Sequence, residues 1–379
     1  MRLPIFEMER MQSAWEHRVR YDLSESGVEP LTLADATALL DVAAGDVRLG
    51  YADGRGREAT RAAVAAIHTK GAAAPKGAAA EDATADQVLI TSGTSEANFL
   101  ALTTLVERGD DVAIVLPNYM QVHGLARGLG ANVREVWLHE DEGWRLDPDR
   151  LRAAVTPRTK LICICTPNNP TGQILSAPEL DAVVAIAQEH GAWILSDEVY
   201  RGAELDGIES ATAWGRYDRV IVTGGLSKAY GLPGLRIGWI VAPAERIEAA
   251  WAQKDYTTIA VASLSEVMAE AALRHRAELL GRTRRILCER WPLLEGWAAA
   301  HGGKLHWTRP RAGAICFFGY SYAVDSWPFV DALIRERSTM IVPGSHFLTE
   351  RHLRIGFGGP VAKLRAGLAE IDAALRGVG

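Results

Sequence analysis

The chain has 379 residues, 48% of them hydrophobic, which is enough for two to three domains around a sizeable core. Its 41 basic and 47 acidic residues give a formal charge of -6 with no long run of either sign. That balance argues against nucleic acid or an anionic membrane as a partner and leaves small molecules as the default.

The amino terminus, MRLPIFEMERMQSAWEHR, is charged throughout and has no apolar core of signal-peptide type, and no stretch approaches the roughly 18 apolar residues that span a bilayer. The chain therefore reads as cytoplasmic. The first 45 residues lack any strand rhythm. LGYADGRGREATRAAVA (49–65) contains G-x-G-x-x-A, but without the preceding strand and the acidic strand end about 20 residues later that a dinucleotide site needs. KGAAAPKGAAAEDATADQ (70–87) is biased toward Ala and Gly and reads as a solvated connection.

From there short apolar, β-branched runs alternate with helical patterns: QVLIT (87–91), DVAIVL (111–116), NVREVWL (132–138), KLICIC (160–165), AWILSD (192–197), RVIVTG (219–224) and RIGWIVA (236–242). Runs without strict polar alternation predict strands covered on both faces, hence an α/β fold with a mainly parallel seven-stranded sheet between helices. Asp147 before Pro148 reads as a helix N-cap, and SAPE (176–179) has capping-box spacing. From about 265 the pattern turns to long helices with short strands such as AICFFGY (314–320) and HLRIGFG (352–358). A large domain over 46–264 and a smaller α+β domain from 1–45 and 265–379 are expected. Cys163, Cys165, Cys288 and Cys316 are too few and scattered for a disulfide framework and read as reduced core thiols. No histidine has metal-ligand spacing to another His or to a Cys pair, so no metal site is expected.

GGLSKAYGLPGLRIGW (224–239) sets Lys228, one of only seven lysines, in a glycine-rich turn after a strand. A desolvated lysine amine can lose its charge and attack an aldehyde, which arginine cannot do. The flanking glycines let backbone approach a ligand, and Arg236 offers a fork of donors suited to phosphate. ITSGTSEANF (90–99) passes from strand to helix through Ser92, Gly93 and Thr94, whose free N–H groups and hydroxyls make an anion site.

In this order, from about residue 20 to the carboxyl end, these motifs resemble the fold type I pyridoxal 5′-phosphate (PLP) enzymes, specifically the class I/II aminotransferase superfamily. The resemblance implies that Lys228 forms the internal aldimine with PLP and later carries the proton from the substrate Cα. Asp197 in DEVY (197–200) would pair with the pyridine nitrogen and make the ring an electron sink. Tyr200, in the same motif, and Asn169 in TPNNPTG (166–172) would bond the cofactor's 3-oxygen. Ser92, Gly93, Thr94 and Arg236 would form the phosphate cup, and Tyr119 would stack on the ring. Tyr51 would reach the phosphate of a neighbouring subunit, making the enzyme at least a dimer with shared active sites. Arg354 in RHLRIGFG (351–358) would grip the substrate carboxylate. Gly27 in SESGVEP (24–30) would lie in the loop over it.

Two features depart from the family pattern. Many members carry a phosphate-binding serine three residues before the lysine, where this chain has Gly225; Ser227 or Thr223 are the candidate substitutes. No second cationic residue for a dicarboxylic side chain has a motif. The implied activity is transfer of an amino group from an L-amino acid to a 2-oxo acid, with a lyase, cyclase or oxidase using the same cofactor site as the alternative. Trp15, Arg18 and Tyr256 are further candidates for lining the substrate pocket.

Overall fold

The computed structural model describes residues 2–68 and 82–378, so most of the Ala- and Gly-rich connection at 70–87 lies outside the described residues; its end, Ala85–Gln87, is a short 3-10 turn. Ahead of it lie helix α1 (Glu7–Trp15) and a two-residue strand β1 (Tyr21–Asp22). Seven strands follow: β2 (Val88–Thr91), β3 (Asp111–Leu116), β4 (Asn132–Trp137), β5 (Thr159–Cys165), β6 (Trp193–Asp197), β7 (Val220–Gly225) and β8 (Gly238–Val241). They form one sheet in the order β2-β8-β7-β6-β5-β3-β4. Only β8 runs antiparallel to its neighbours.

Successive side chains of a strand point to opposite faces, and here each face has its own core. Ala113, Ile162, Ile164, Ile194, Val220 and Val222 pack into one apolar cluster. Val112, Ile114, Leu161, Cys163, Leu195 and Ile221 pack into the other. All of β3 and β7 is buried, as the uniform apolar runs predict. β4 is the exception: it is an edge strand, and Asn132, Arg134 and Glu135 face solvent. The helices begin where the sequence signals them. Asp147 Oδ1 accepts from Asp149 N at 2.9 Å ahead of the helix Pro148–Ala154. Ser176 and Glu179 form a reciprocal capping box on Ala177–His190, an arrangement that contributes about 1 kcal/mol.

A second, four-stranded antiparallel sheet follows in the order β12-β13-β10-β9, from β9 (Leu305–Trp307), β10 (Ile315–Tyr320), β12 (Val342–Pro343) and β13 (His352–Gly356). β11 (Thr339–Met340) pairs in parallel with β1. The chain then bridges to the second sheet, since Leu23 N donates to Met340 O at 2.8 Å and Leu23 O accepts from Gly356 N at 2.7 Å. Those bonds carry residues 24–27 toward the edge of the large sheet. Among the described residues no helix is long and apolar enough to cross a membrane. Cys163, Cys165 and Cys316 are buried, but Cys288 is exposed on a long helix, so the expectation of four core thiols holds for three. Its helical position faces outward, a distinction that a lone cysteine in a helical run does not reveal.

Candidate active site

Parallel strands end on one edge of their sheet, and ligands of open α/β sheets bind there. The loops after β2, β3, β5, β6 and β7 deliver Thr94, Tyr119, Asn169, Asp197 and Lys228 to a common cavity of about 230 Å³. Ser26, Ser227, Arg236 and, from β13, Arg354 complete the polar wall, with α1 covering the opening through Met8, Glu9 and Gln12.

Asp197 is buried at the end of β6 and has no cationic partner among the described residues. Its Oδ2 accepts from Asn98 Nδ2 at 3.0 Å and its Oδ1 from Val199 N at 3.1 Å. Burial raises its pKa above the usual carboxylate value, against the pull of those two donors. The next residue, Glu198, turns away into a network with Ser196, Thr212 and Ala213 N, as divergence of successive side chains requires.

Lys228 Nζ donates to Glu25 Oε1 at 2.7 Å. The same oxygen accepts from Gly27 N at 2.7 Å, which fixes the loop beside the lysine. Desolvation alone would lower the pKa of the amine. Burial does oppose the ammonium here, but Glu25 and Tyr200 outweigh it and raise the pKa above the ordinary lysine value. The attraction of Lys228 in turn lowers the Glu25 pKa to about 2, against its own desolvation. Tyr200 OH donates to Ser26 Oγ at 2.8 Å, and burial raises its pKa although Lys228 and Arg354 oppose the rise, so it stays a phenol donor.

At the other end of the cavity, Gly93 adopts φ +79 and a Cβ there would sit 2.5 Å from Arg236 Nη2, so glycine lets the helix start close onto the guanidinium. Thr94 Oγ1 donates to Gly224 O at 3.0 Å. A Cβ on Gly225 would lie 2.6 Å from that hydroxyl and 3.0 Å from Ile237 O, so the position where related chains carry serine has no room for one here. Thr94 and Ser95 line the cavity; Ser92 and Gly93 lie behind them, with Ser92 N donating to Glu96 Oε2 at 2.6 Å. Of the two substitutes for the missing serine, Thr223 is corrected: it is fully buried and its hydroxyl donates to Asn98 Oδ1 at 2.8 Å, on the Asp197 side. Ser227 lines the cavity.

Arg354 is 1% exposed. Its Nη1 donates to Asn169 Oδ1 at 2.8 Å and its Nη2 to Ser24 O at 2.5 Å, while Nε has no partner among the described residues. Asn168, one residue earlier, instead donates to Pro117 O and braces Thr171. Tyr119 OH donates to Glu9 Oε1 at 2.9 Å and its ring meets Phe6 edge-on at 5.0 Å. Tyr51 is 95% exposed and lies outside this cavity. Trp15, Arg18 and Tyr256 do not line it: Trp15 packs under Arg335, and Arg18 and Tyr256 face solvent. Sequence reasoning missed Asn98, Glu25, Ser26 and the α1 residues.

The residues present fit a phosphorylated aromatic aldehyde. A buried carboxylate without a cation suits a protonated ring nitrogen, and Gly93 opens a cradle beside Arg236 for an anion. Lys228 lines the same cavity. The family model "Aminotransferase class I and II" matches residues 22–371. A capreomycidine synthase of Streptomyces vinaceus is 32% identical over 94% of this chain and 90% of its own. Aromatic-amino-acid aminotransferase 2 of Thermococcus litoralis is 29% identical over 76% of each chain. Among solved structures, a PLP-dependent aminotransferase of Streptococcus suis superposes with TM-score 0.91 at 32% identity, covering 100% of this chain and 99% of that one. A PLP-dependent cyclase, OrfR, reaches TM-score 0.86 at 30% identity with the same coverage.

Proposed function

Because the chain belongs to the class I and II aminotransferases, enzymes whose cofactor is PLP, we propose that it moves the amino group of an L-amino acid to a 2-oxo acid. The observation that carries this reading is the position of Lys228 in one cavity with Asp197, Arg236 and Arg354. PLP supplies an aldehyde that takes the amine covalently and a ring that accepts electrons from the Cα bond.

The chain's own groups divide the work. Lys228 would hold the aldehyde of PLP through Nζ, and its amine is the group placed to move a proton at the substrate Cα. Asp197 would pair with the ring nitrogen and favour its protonated form, and Asn98 keeps Asp197 oriented. Tyr200 and Asn169 would serve the 3-oxygen, and Tyr119 would cover the ring. Arg236, Thr94 and Ser227 would bind the phosphate, with Ser92 and Gly93 shaping the backbone at the helix start. Arg354 would hold the substrate carboxylate, and Gly27, whose N–H is held by Glu25, would lie in the loop beside it. The exposed Tyr51 reaches the phosphate of a second copy in a homodimer, and the enzyme works in the cytoplasm.

A second reading keeps the same cofactor residues and ends in cyclisation. It is favoured by the names of two relatives that align over nearly the whole chain, a capreomycidine synthase and a PLP-dependent cyclase. One experiment separates the two. The PLP-loaded protein is mixed with an amino acid and 2-oxoglutarate, and the products are analysed. Catalytic formation of a new amino acid supports transamination; a ring product with no net amino transfer supports the cyclase.

A further inference from the structure

The cavity wall carries the cations Lys228, Arg236 and Arg354 and the carboxylates Glu9, Glu16, Glu25 and Asp197. In the proposed function every cation has a task, and Asp197 has one. Glu9, Glu16 and Glu25 are left over.

Their placement is built into the fold. Glu9, Gln12 and Glu16 are spaced three and four apart, so α1 and its cap present them on one face, which is the face over the cavity. That face is pinned by Tyr119 OH on Glu9, by Gln12 Nε2 on Ser24 O and Oγ at 3.2 and 2.9 Å, and by Arg354 Nη1 against Met8 Sδ at 3.6 Å. Glu16 has the exposed His17 at 3.3 Å as its neighbour. Glu25 is paired to the Lys228 ammonium, which gives up protons when Nζ condenses with an aldehyde. No other lysine or arginine among the described residues lines the cavity. Independently, Arg354, which lines the same cavity, is 1% exposed and has a buried Nε without a partner among the described residues, a donor that calls for an anion.

Resting on the amino-acid reading above, we propose that the substrate is an amino acid whose side chain ends in a cation of guanidinium or ammonium type, held by Glu16, Glu9 and Glu25 while Arg354 holds its carboxylate. A guanidinium fork can engage two carboxylates in its plane. A dicarboxylic substrate meets repulsion on this wall, and a neutral one displaces water from carboxylates without replacing its hydrogen bonds.

The test titrates the PLP-loaded protein with L-arginine, L-lysine, L-citrulline, L-norleucine and L-glutamate, following the visible absorbance. Citrulline has the shape of arginine without the charge. Half-saturation by arginine or lysine at a concentration about tenfold or more below that for citrulline and norleucine is expected, the size of one charge-assisted hydrogen bond. Glu16→Gln, at an exposed helix end, and Glu9→Gln each narrow that ratio. Citrulline or glutamate matching arginine overturns the cationic side chain while leaving the amino-acid reading intact. A spectrum that none of the five shifts overturns the amino-acid reading itself.

Discussion

Asn98 Nδ2 donates to Asp197 Oδ2 at 3.0 Å, and the carbonyl of the same amide accepts from Thr223 Oγ1 at 2.8 Å. The threonine hydroxyl thus fixes which way the amide points, and the amide presents its N–H to the carboxylate. All three are buried. A donor to the ionised form is what keeps a desolvated carboxylate available for a ring cation, because burial alone pushes its pKa up.

Replacing Asn98 by Ala removes that donor, and the Asp197 pKa rises further. The variant should therefore release PLP on acidification at a higher pH than the parent, and bind it about tenfold more weakly at neutral pH, the size of one hydrogen bond to a charged group. Cofactor release followed by absorbance across pH measures both. A release curve superimposable on the parent's would leave Asn98 a packing residue only.

The Gly225 position makes a second prediction. A methyl there meets Thr94 Oγ1 at 2.6 Å and Ile237 O at 3.0 Å, so Gly225→Ala should cost about 1 to 3 kcal/mol as overpacking does. Gly225→Ser, which restores the residue many related chains carry, should be no better, since its Cβ meets the same atoms. Trimming the obstacle in Thr94→Ser leaves the hydroxyl in place and should not rescue it. Denaturant melts of the three variants test the steric account.

Much of this was legible in the sequence, for reasons that particular residues make clear. The strands were readable because both faces of the sheet are covered, leaving apolar runs such as 111–116 with nothing polar to interrupt them. β4 was misread as equally covered because its edge position is set by strand order, which no local pattern encodes. Motif residues at strand ends could be found because the parallel topology gathers them on one edge. Glu25 lies two residues before Gly27, in the segment assigned to the substrate loop, yet its pairing with Lys228 joins positions 203 apart in the chain. Asn98 did have a local signal: it follows Thr94 by four residues and so shares its helix face. The covering of the cavity by α1 had none beyond the seven-residue spacing of Glu9 and Glu16.

Arg354 supports a third prediction. Its Nη atoms are committed to Asn169 and Ser24, and only a planar fork leaves a further donor free. Arg354→Lys keeps the charge but not the fork, so the amino acid concentration for half-saturation should rise about tenfold or more while PLP affinity stays within about twofold. Parallel titrations with amino acid and with PLP check this. Equal losses for both would mean that the residue shapes the whole cavity instead of gripping a carboxylate.

In the protein before PLP is bound, the Glu25–Lys228 pair links stability to pH. The carboxyl pKa falls from its ordinary 4.5 to about 2 on folding, so its contribution is present in full above 4.5 and is lost as pH drops through 4.5 toward 2. The lysine pKa is raised from 10.5, so its contribution is present below 10.5 and is lost as pH climbs past it. Glu25→Gln should accordingly lower the melting temperature of the cofactor-free protein at pH 7, with the gap to the parent closing toward pH 3 and again above pH 10. Because Glu25 is half exposed, solvent screening keeps that gap small, and added salt should shrink it. A gap that stays constant with pH in the cofactor-free protein would mean that Glu25 stabilises the loop only through its bond to Gly27 N, without the lysine.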